Sequence, residues 1–399
     1  MKPMRVLYLE PSGLVTGGAI ALLRLVEATN RRRFRLLVVL GSDGPLAVRF
    51  RKVPGCRVLV RPFPAGLGRI TRFNVISGGI FQAGGWLRYG LMLRGIARRW
   101  KADVVHTNGL KMHLLSILVG RGATRLLVWH LRDLVAPPYM PRRTALILRW
   151  LIGRIPHLAI CNSEATKRSV LGLTEAGVGA GGAEAAWRHV KVVPDGIAVD
   201  WLGEATAPRR GRRRGLRVVM LGRIARWKGQ DVFVTAAARL CEHDPTTTFL
   251  VAGSATTEAD AAFERDLRSQ VDRAGLSDRI QFLGLVDDVP DLLRSVDLAV
   301  HCSTSPEPFG QVILEAMAAS VPVVATSLGG PAEIITNGVD GRLVPPGDDE
   351  ALARVLAELL RHGALRRQLA ARGLETVRNR FGIQQTARQV AAVYEEGAA

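Results

Sequence analysis

The sequence predicts an α/β chain built as two doubly wound domains, each a parallel sheet covered by helices, and two observations carry that prediction. Short β-branched or Leu-rich runs alternate with longer amphipathic stretches from end to end, the pattern of parallel strands joined by helices. The chain also holds 399 residues at 48% hydrophobic composition, more apolar material than a single core needs.

In the first half the strand-like runs fall at residues 5–9, 35–40, 57–60, 103–107, 125–130, 157–161 and 190–193. In the second half they fall at 217–222, 247–252, 279–283, 298–302, 322–325 and 341–344. The first domain is placed at 1–200 and the second at 216–374. Between them, residues 201–215 have weak periodicity and the run Pro-Arg-Arg-Gly-Arg-Arg-Arg-Gly, which reads as a basic linker. Residues 176–186 are mostly Gly and Ala and read as a mobile loop. Residues 375–399 form a C-terminal helical segment with Val377, Phe381, Val390 and Val393 at helical spacing. Periodicity does not assign that segment to either domain, and crossing back to the first is one of the two placements.

Composition narrows the class. The four cysteines, Cys56, Cys161, Cys241 and Cys302, are scattered, without a CxxC pair or a histidine cluster at metal-ligand spacing, so a reduced cytoplasmic protein without structural zinc is expected. The N-terminal apolar run is too short for a signal-peptide core, and no window holds 18 uncharged apolar residues. The chain is therefore expected to be soluble or bound at a membrane surface. Its 55 Lys and Arg against 35 Asp and Glu leave a net charge of +20, which suits phosphates, anionic lipid or nucleic acid alike.

The chemistry concentrates in the second half. After the strand at 298–302 comes Ser-Pro-Glu-Pro-Phe-Gly-Gln-Val-Ile-Leu-Glu, a Pro-punctuated loop that runs into an apolar helix near Gly310. A helix start presents backbone N–H groups and a partial positive charge, so Phe309, Gly310 and Gln311 suit a diphosphate. Glu315 follows Gln311 by about one helical turn and offers two acceptor oxygens to a vicinal diol such as a ribose; Glu307, still in the loop, reaches toward a sugar. Taken alone, the pair is better read as a helix surface carboxylate at Glu315 and a loop charge at Glu307. The strand at 217–222 ends in Gly-Arg-Ile-Ala-Arg-Trp-Lys-Gly-Gln, with Arg223 and Lys228 placed to neutralise a departing diphosphate without a metal.

Gly-Arg-x4-Lys-Gly, then Phe-Leu-Gly at 282–284, then Glu-Pro-Phe-Gly-x4-Glu-Ala-Met-Ala, then Pro-Val-Val-Ala-Thr-Ser-Leu-Gly-Gly-Pro-Ala-Glu together resemble the C-terminal domain of glycosyltransferase family four over about residues 216–348. The resemblance implies a GT-B fold, two Rossmann-like doubly wound domains facing a central cleft. It implies a retaining transferase in which Arg223 and Lys228 contact the diphosphate, Glu315 the ribose and Glu307 the donor sugar. The turn after Phe-Leu-Gly is similar to the family's base-contacting turn, which puts the backbone of Val286 near the base. Ser320 stands where the family usually has Gly, which should perturb a turn.

On the acceptor side, Glu-Pro-Ser-Gly-Leu-Val-Thr-Gly-Gly leads from the first strand into a helix, and the backbone N–H groups of Gly17 and Gly18 suit a phosphate or an acceptor. A plain strand-to-helix turn is the alternative. His106, Asn108 and His130 lie at the ends of apolar strands, the edge where open parallel sheets bind ligands. The family resemblance favours His130, whose counterpart sits beside the donor sugar. Asp195 replaces the Asn of the family's Pro-Asn-Gly junction, which adds a charge and leaves it outside the catalytic set.

Residues 86–100 project Trp86, Tyr89, Met92, Leu93, Ile96, Ala97 and Trp100 onto one helix face, opposite Arg88, Arg94, Arg98 and Arg99. That face suits anionic lipid or, equally, the protein's own sheet. Residues 144–154 add a second apolar and basic stretch.

The expected reaction moves a sugar from a UDP- or GDP-sugar to a glycan or lipid-linked acceptor in cell-envelope synthesis, with no cofactor and no metal, because the second half lacks an Asp-x-Asp cluster near its phosphate elements. Rival readings are a nucleic-acid-binding protein built on the basic run, disfavoured by the absence of interleaved aromatics, and a GT-B epimerase or phosphorylase.

Overall fold

Strand runs that are apolar on both faces demand cover on both faces, and the fold supplies it twice. The computed structural model of the protein describes residues 2–64, 66–69, 71, 73, 83–120, 122–173, 187–199 and 215–398. The chain forms two units, Met1–Gly196 with Ile383–Ala399, and Ile197–Gly382.

In the first unit a seven-stranded parallel sheet is ordered β3-β2-β1-β4-β5-β6-β7, with β1 Met4–Glu10, β2 Phe34–Leu40, β3 Cys56–Val60, β4 Val104–Asn108, β5 Leu126–Leu131, β6 Leu158–Cys161 and β7 Val190–Val192. Alternation along β2 sends Leu37 and Val39 into one apolar layer and Leu36, Val38 and Leu40 into the other. The second unit holds a six-stranded sheet ordered β10-β9-β8-β11-β12-β13, with β8 Arg217–Leu221, β9 Thr248–Ala252, β10 Ile280–Gly284, β11 Leu298–His301, β12 Val323–Thr326 and β13 Arg342–Val344. In each sheet the strand order reverses direction once, between β1 and β4 and between β8 and β11. Connections leave those paired strands toward opposite sides, which opens a crevice at their C-terminal ends.

The C-terminal segment corrects the sequence reading. It is not one helix from 375 onward but two, Gly363–Arg380 and Ile383–Ala398, and the unit boundary falls between Gly382 and Ile383. Val377 and Phe381 join the core of the second unit, whereas Val390, Val393 and Tyr394 join the core of the first. The four apolar positions therefore belong to two cores. The expected linker run and the Gly/Ala loop lie outside the described residues.

The helix Ala83–Trp100 settles the two readings of its apolar face. Tyr89, Leu93, Ile96 and Ala97 are buried in the first unit's core, with Trp86, Met92 and Trp100 packed against it, so that face covers the protein's own sheet and is not free for lipid. Leu146 (54% exposed), Ile147 (47%) and Trp150 (56%) on the helix Arg142–Ile152 do face solvent. Among the described residues no helix is long and apolar enough to cross a membrane.

Ser320 takes φ 55°, in the left-handed region. It ends the helix Gln311–Ala318 in a Schellman turn, with Ser320 N–H donating to the Met317 carbonyl (3.0 Å) and Val321 N–H to that of Ala316 (2.9 Å). Only a residue without Cβ adopts that backbone freely, which is why Gly is the ordinary choice. Ser320→Gly is expected to stabilise the protein by up to about 1 kcal/mol, measured by denaturant unfolding; a loss of stability would contradict the strain assigned to this turn.

Candidate functional site

Both crevices carry polar side chains, and the second unit's is the more fully assembled. Lys228 lies in the loop after β8 and Glu307 in the loop after β11, so the switch point brings together residues 79 apart in sequence. Lys228 Nζ donates to both carboxylate oxygens of Glu307, at 2.8 and 2.6 Å, and stands 4.4 Å from the centroid of the Trp227 ring. Ser303 Oγ donates to Glu307 Oε2 at 2.8 Å, and His301 Nε2 lies 3.2 Å from the same oxygen. Burial pushes the Glu307 carboxyl up, but the Lys228 ammonium and the His301 and Lys228 hydrogen bonds outweigh it and hold the group below the usual carboxylate range. It is an ion held in place, not a proton donor.

Backbone geometry explains the Lys-Gly dipeptide. Gly229 has φ 75°, and a Cβ there would stand 2.1 Å from the Cys302 carbonyl oxygen, so only Gly lets the Lys228 loop lie against the end of β11. Gly329, at φ 74°, likewise approaches Glu307: a Cβ would meet its carbonyl oxygen at 2.5 Å, and Gly330 N–H donates to that oxygen at 2.9 Å. The Leu-Gly-Gly-Pro motif thus holds the Glu307 backbone. Gln230, fully buried, fixes the other side of the loop by donating to the Arg223 carbonyl at 2.9 Å.

Arg223 is exposed, with Nη1 donating to Thr256 Oγ1 at 3.2 Å. The helix Gln311–Ala318 begins at Gly310, and no side chain caps it. Phe309 is buried against Phe381, edge to face at 6.0 Å. Glu315 is half-buried one turn into that helix. Val286 packs against the same core layer, and the adjacent Asp288 caps the helix Val289–Arg294. His301, Ser303 and Gln230 were not singled out in the sequence. His301 ends β11 and Ser303 follows it, yet nothing in their spacing shows that both point at Glu307.

In the first unit, Gly17 and Gly18 open the helix Gly17–Ala28, whose first turn is capped by Thr16, and the Gly18 carbonyl accepts from Asn108 Nδ2 at 3.3 Å. Asn108 also donates to Glu10 and accepts from Arg132. Arg132 and Asp195 are both buried and paired, Nε to Oδ1 at 3.0 Å and Nη2 to Oδ1 at 2.9 Å, while Asn162 donates to Asp195 at 3.3 Å. The extra charge of Asp195 is therefore neutralised. A departure from a familiar motif that adds a buried charge is itself a signal to look for the compensating cation. His106 and His130 are both fully buried and 3.2 Å apart, His130 Nδ1 to His106 Nε2. His106 thus sits behind His130 within the sheet.

Glu10 closes this network at the C-terminal end of β1. Burial pushes its carboxyl up to about 7, against the lowering effect of Asn108, the Ser12 N–H and Arg132. A carboxyl whose folded-state pKa is raised costs stability as pH rises from the ordinary value near 4.5 to about 7, because the native state then holds a proton that the unfolded chain releases. Glu10→Gln removes that dependence. Its stability relative to the parent is expected to rise by on the order of 3 kcal/mol between pH 4.5 and 8, read from urea unfolding at each pH; a flat difference would refute the buried, proton-holding Glu10.

Comparison with known proteins follows this geometry. The Glycosyl transferases group 1 family matches residues 210–376. The chain is 39% identical over 176 residues to the lipopolysaccharide core biosynthesis mannosyltransferase LpsB of Rhizobium meliloti (strain 1021), covering 44% of this chain and 50% of that protein. The matched segment thus spans about half of that relative's length. It is 31% identical over 362 residues to the 2-deoxystreptamine glucosyltransferase of Streptomyces kanamyceticus, covering 85% of this chain and 88% of the relative. Among solved structures, Anabaena Alr3699/HepE in complex with UDP and glucose superposes with a TM-score of 0.80 at 26% identity, over 98% of both chains.

Proposed function

Because the chain belongs to the glycosyl transferases group 1 family and has its two-sheet GT-B architecture, we propose that it is a retaining glycosyltransferase. It moves a hexose from a UDP- or GDP-sugar to a glycan or lipid-linked acceptor of the cell envelope. The observation that carries this reading is the Lys228–Glu307 pair at the β8/β11 switch point, beside an uncapped helix start.

Each part has a chemical task. Lys228 and Arg223 bring cations to the departing diphosphate, and the backbone N–H groups of Phe309, Gly310 and Gln311 bring the helix start to the same charge. Glu315 accepts from the ribose hydroxyls, and Glu307, kept ionised, accepts from hydroxyls of the donor sugar. The Val286 backbone lies against the base. His130 serves the donor sugar, while Gly17, Gly18 and Asn108 line the acceptor loop. Leaving-group stabilisation by these groups needs no metal. The UDP and glucose held by HepE support a nucleoside diphosphate donor. The mannosyltransferase relative in lipopolysaccharide synthesis supports an envelope acceptor. Both same-face and double displacement remain compatible with these groups.

Screening a panel of nucleotide sugars for donor-dependent binding and slow hydrolysis identifies the donor. With that donor, Glu315→Ala is expected to lower turnover roughly 30-fold or more, the loss of hydrogen bonds to a charged acceptor, with an unchanged melting temperature. Near-parental turnover in the folded variant would sink the donor-site assignment.

Membrane contact is assigned to the helix Arg142–Ile152. Leu146, Ile147 and Trp150 are exposed on it, and the Arg154 guanidinium stands 4.7 Å from the Trp150 ring centroid, an apolar and cationic surface suited to anionic lipid. Replacing all three apolar residues by Ser should weaken binding to phosphatidylglycerol vesicles at least tenfold. Unchanged co-sedimentation refutes this surface.

A further inference from the structure

The first unit contains a line of buried hydroxyls and imidazoles that leads to His130. Its far end is the Tyr8 hydroxyl, to which the Tyr394 hydroxyl donates at 3.3 Å. Tyr394 Oη also stands 2.7 Å from His106 Nδ1, and His106 Nε2 stands 3.2 Å from His130 Nδ1. Tyr8, Tyr394, His106 and His130 are all buried to within 1%. The last atom of the line, His130 Nε2, is buried without a protein partner.

The Tyr394 hydroxyl spends its single proton on Tyr8, so the direction of every later link follows from that donation. The Tyr394 oxygen is left to accept, which places the His106 proton on Nδ1. His106 Nε2 is then bare and accepts from His130 Nδ1–H. His130 Nε2 ends the line as a lone pair. Burial first, then the Arg132 charge, holds both imidazoles neutral, so neither acquires a second proton that would erase the asymmetry. Arg132, His113, the two tyrosines and, at the Tyr8 end, Arg31 and Cys56 are the titratable and charged groups whose influence reaches this line.

We propose that this one-way hydrogen-bond chain fixes His130 as its Nδ1–H tautomer, so that Nε2 is held as an acceptor for a sugar hydroxyl, with Tyr394 and His106 as positioning residues. The inference rests on the reading of His130 as a sugar-contacting residue. It gives the C-terminal helix Ile383–Ala398, which supplies Tyr394, a part in that contact. A buried acceptor without a partner is costly, and a ligand hydroxyl removes that cost.

Histidine tautomers are read directly by long-range proton–nitrogen NMR on the full chain labelled at its eight histidines. In the ligand-free parent, His130 is expected as Nδ1–H. Tyr394→Phe leaves His106 Nδ1–H without an acceptor, and Tyr8→Phe frees the Tyr394 proton for His106 Nδ1. Both substitutions should therefore turn His106 to its Nε2–H form and His130 to its own Nε2–H form. Two independent variants keep the test available if one fails to fold. A parent His130 carrying its proton on Nε2, or tautomers unmoved by both substitutions, overturns the chain whatever the enzyme's activity. Adding the donor sugar found by the screen should shift the His130 Nε2 resonance, and each variant should lose about tenfold in kcat, with no further loss in a His130→Ala background. Inverted tautomers with an unshifted Nε2 resonance or undiminished kcat would leave the chain standing and overturn the sugar contact.

Discussion

A buried carboxylate at the edge of a parallel sheet must find a cation, and both units of this protein are arranged around that requirement. In the second unit Glu307 meets Lys228; in the first, Asp195 meets Arg132. Such a pair gains little over an apolar one as a unit, but removing one partner strands a charge, so each pair locks its two loops together. The Lys228–Glu307 pair joins the loops that follow β8 and β11, the two strands between which the sheet reverses. Around it, the close approaches at Gly229 and Gly329 and the hydrogen bonds from Ser303 and Gln230 have a common effect. They hold one carboxylate ionised beside one ammonium, which limits the reorganisation left for the reaction itself.

The first unit uses the same device with a different result. Arg132 and Asp195 neutralise each other inside a network that also contains Asn108, Asn162 and Glu10. The charge that sets Asp195 apart from the family's usual Asn is thereby spent on a structural pair. Glu10 has no cation of its own at ion-pair distance among the described residues, and burial pushes its carboxyl up to about 7.

The amphipathic helices show how packing divides similar patterns. Residues 86–100 and 144–154 both read as apolar and basic, but the first spends its apolar face on the sheet and the second leaves Leu146, Ile147 and Trp150 in solvent. The number of sheet faces that need cover decides this, and a helical projection does not contain that number.

The two doubly wound sheets were legible in the order of amino acids, because a strand buried on both faces must be an apolar run whatever surrounds it, and all thirteen described strands overlap the runs read from the sequence. The helix start at Gly310 with Glu307 and Glu315 around it was legible too, because those residues are local in the chain. Where the C-terminal segment divides came from packing alone, since Val377 with Phe381 and Val390 with Val393 are each at helical spacing and yet the two pairs bury in different cores. The tertiary structure alone placed His301 and Ser303 on Glu307, Arg132 on Asp195, and Tyr394 behind His106 and His130. Apart from the short His301–Ser303–Glu307 group, those contacts join residues dozens to hundreds of positions apart. Their partners are set by strand order and by which face each side chain takes, and neither quantity is carried by any local run of amino acids.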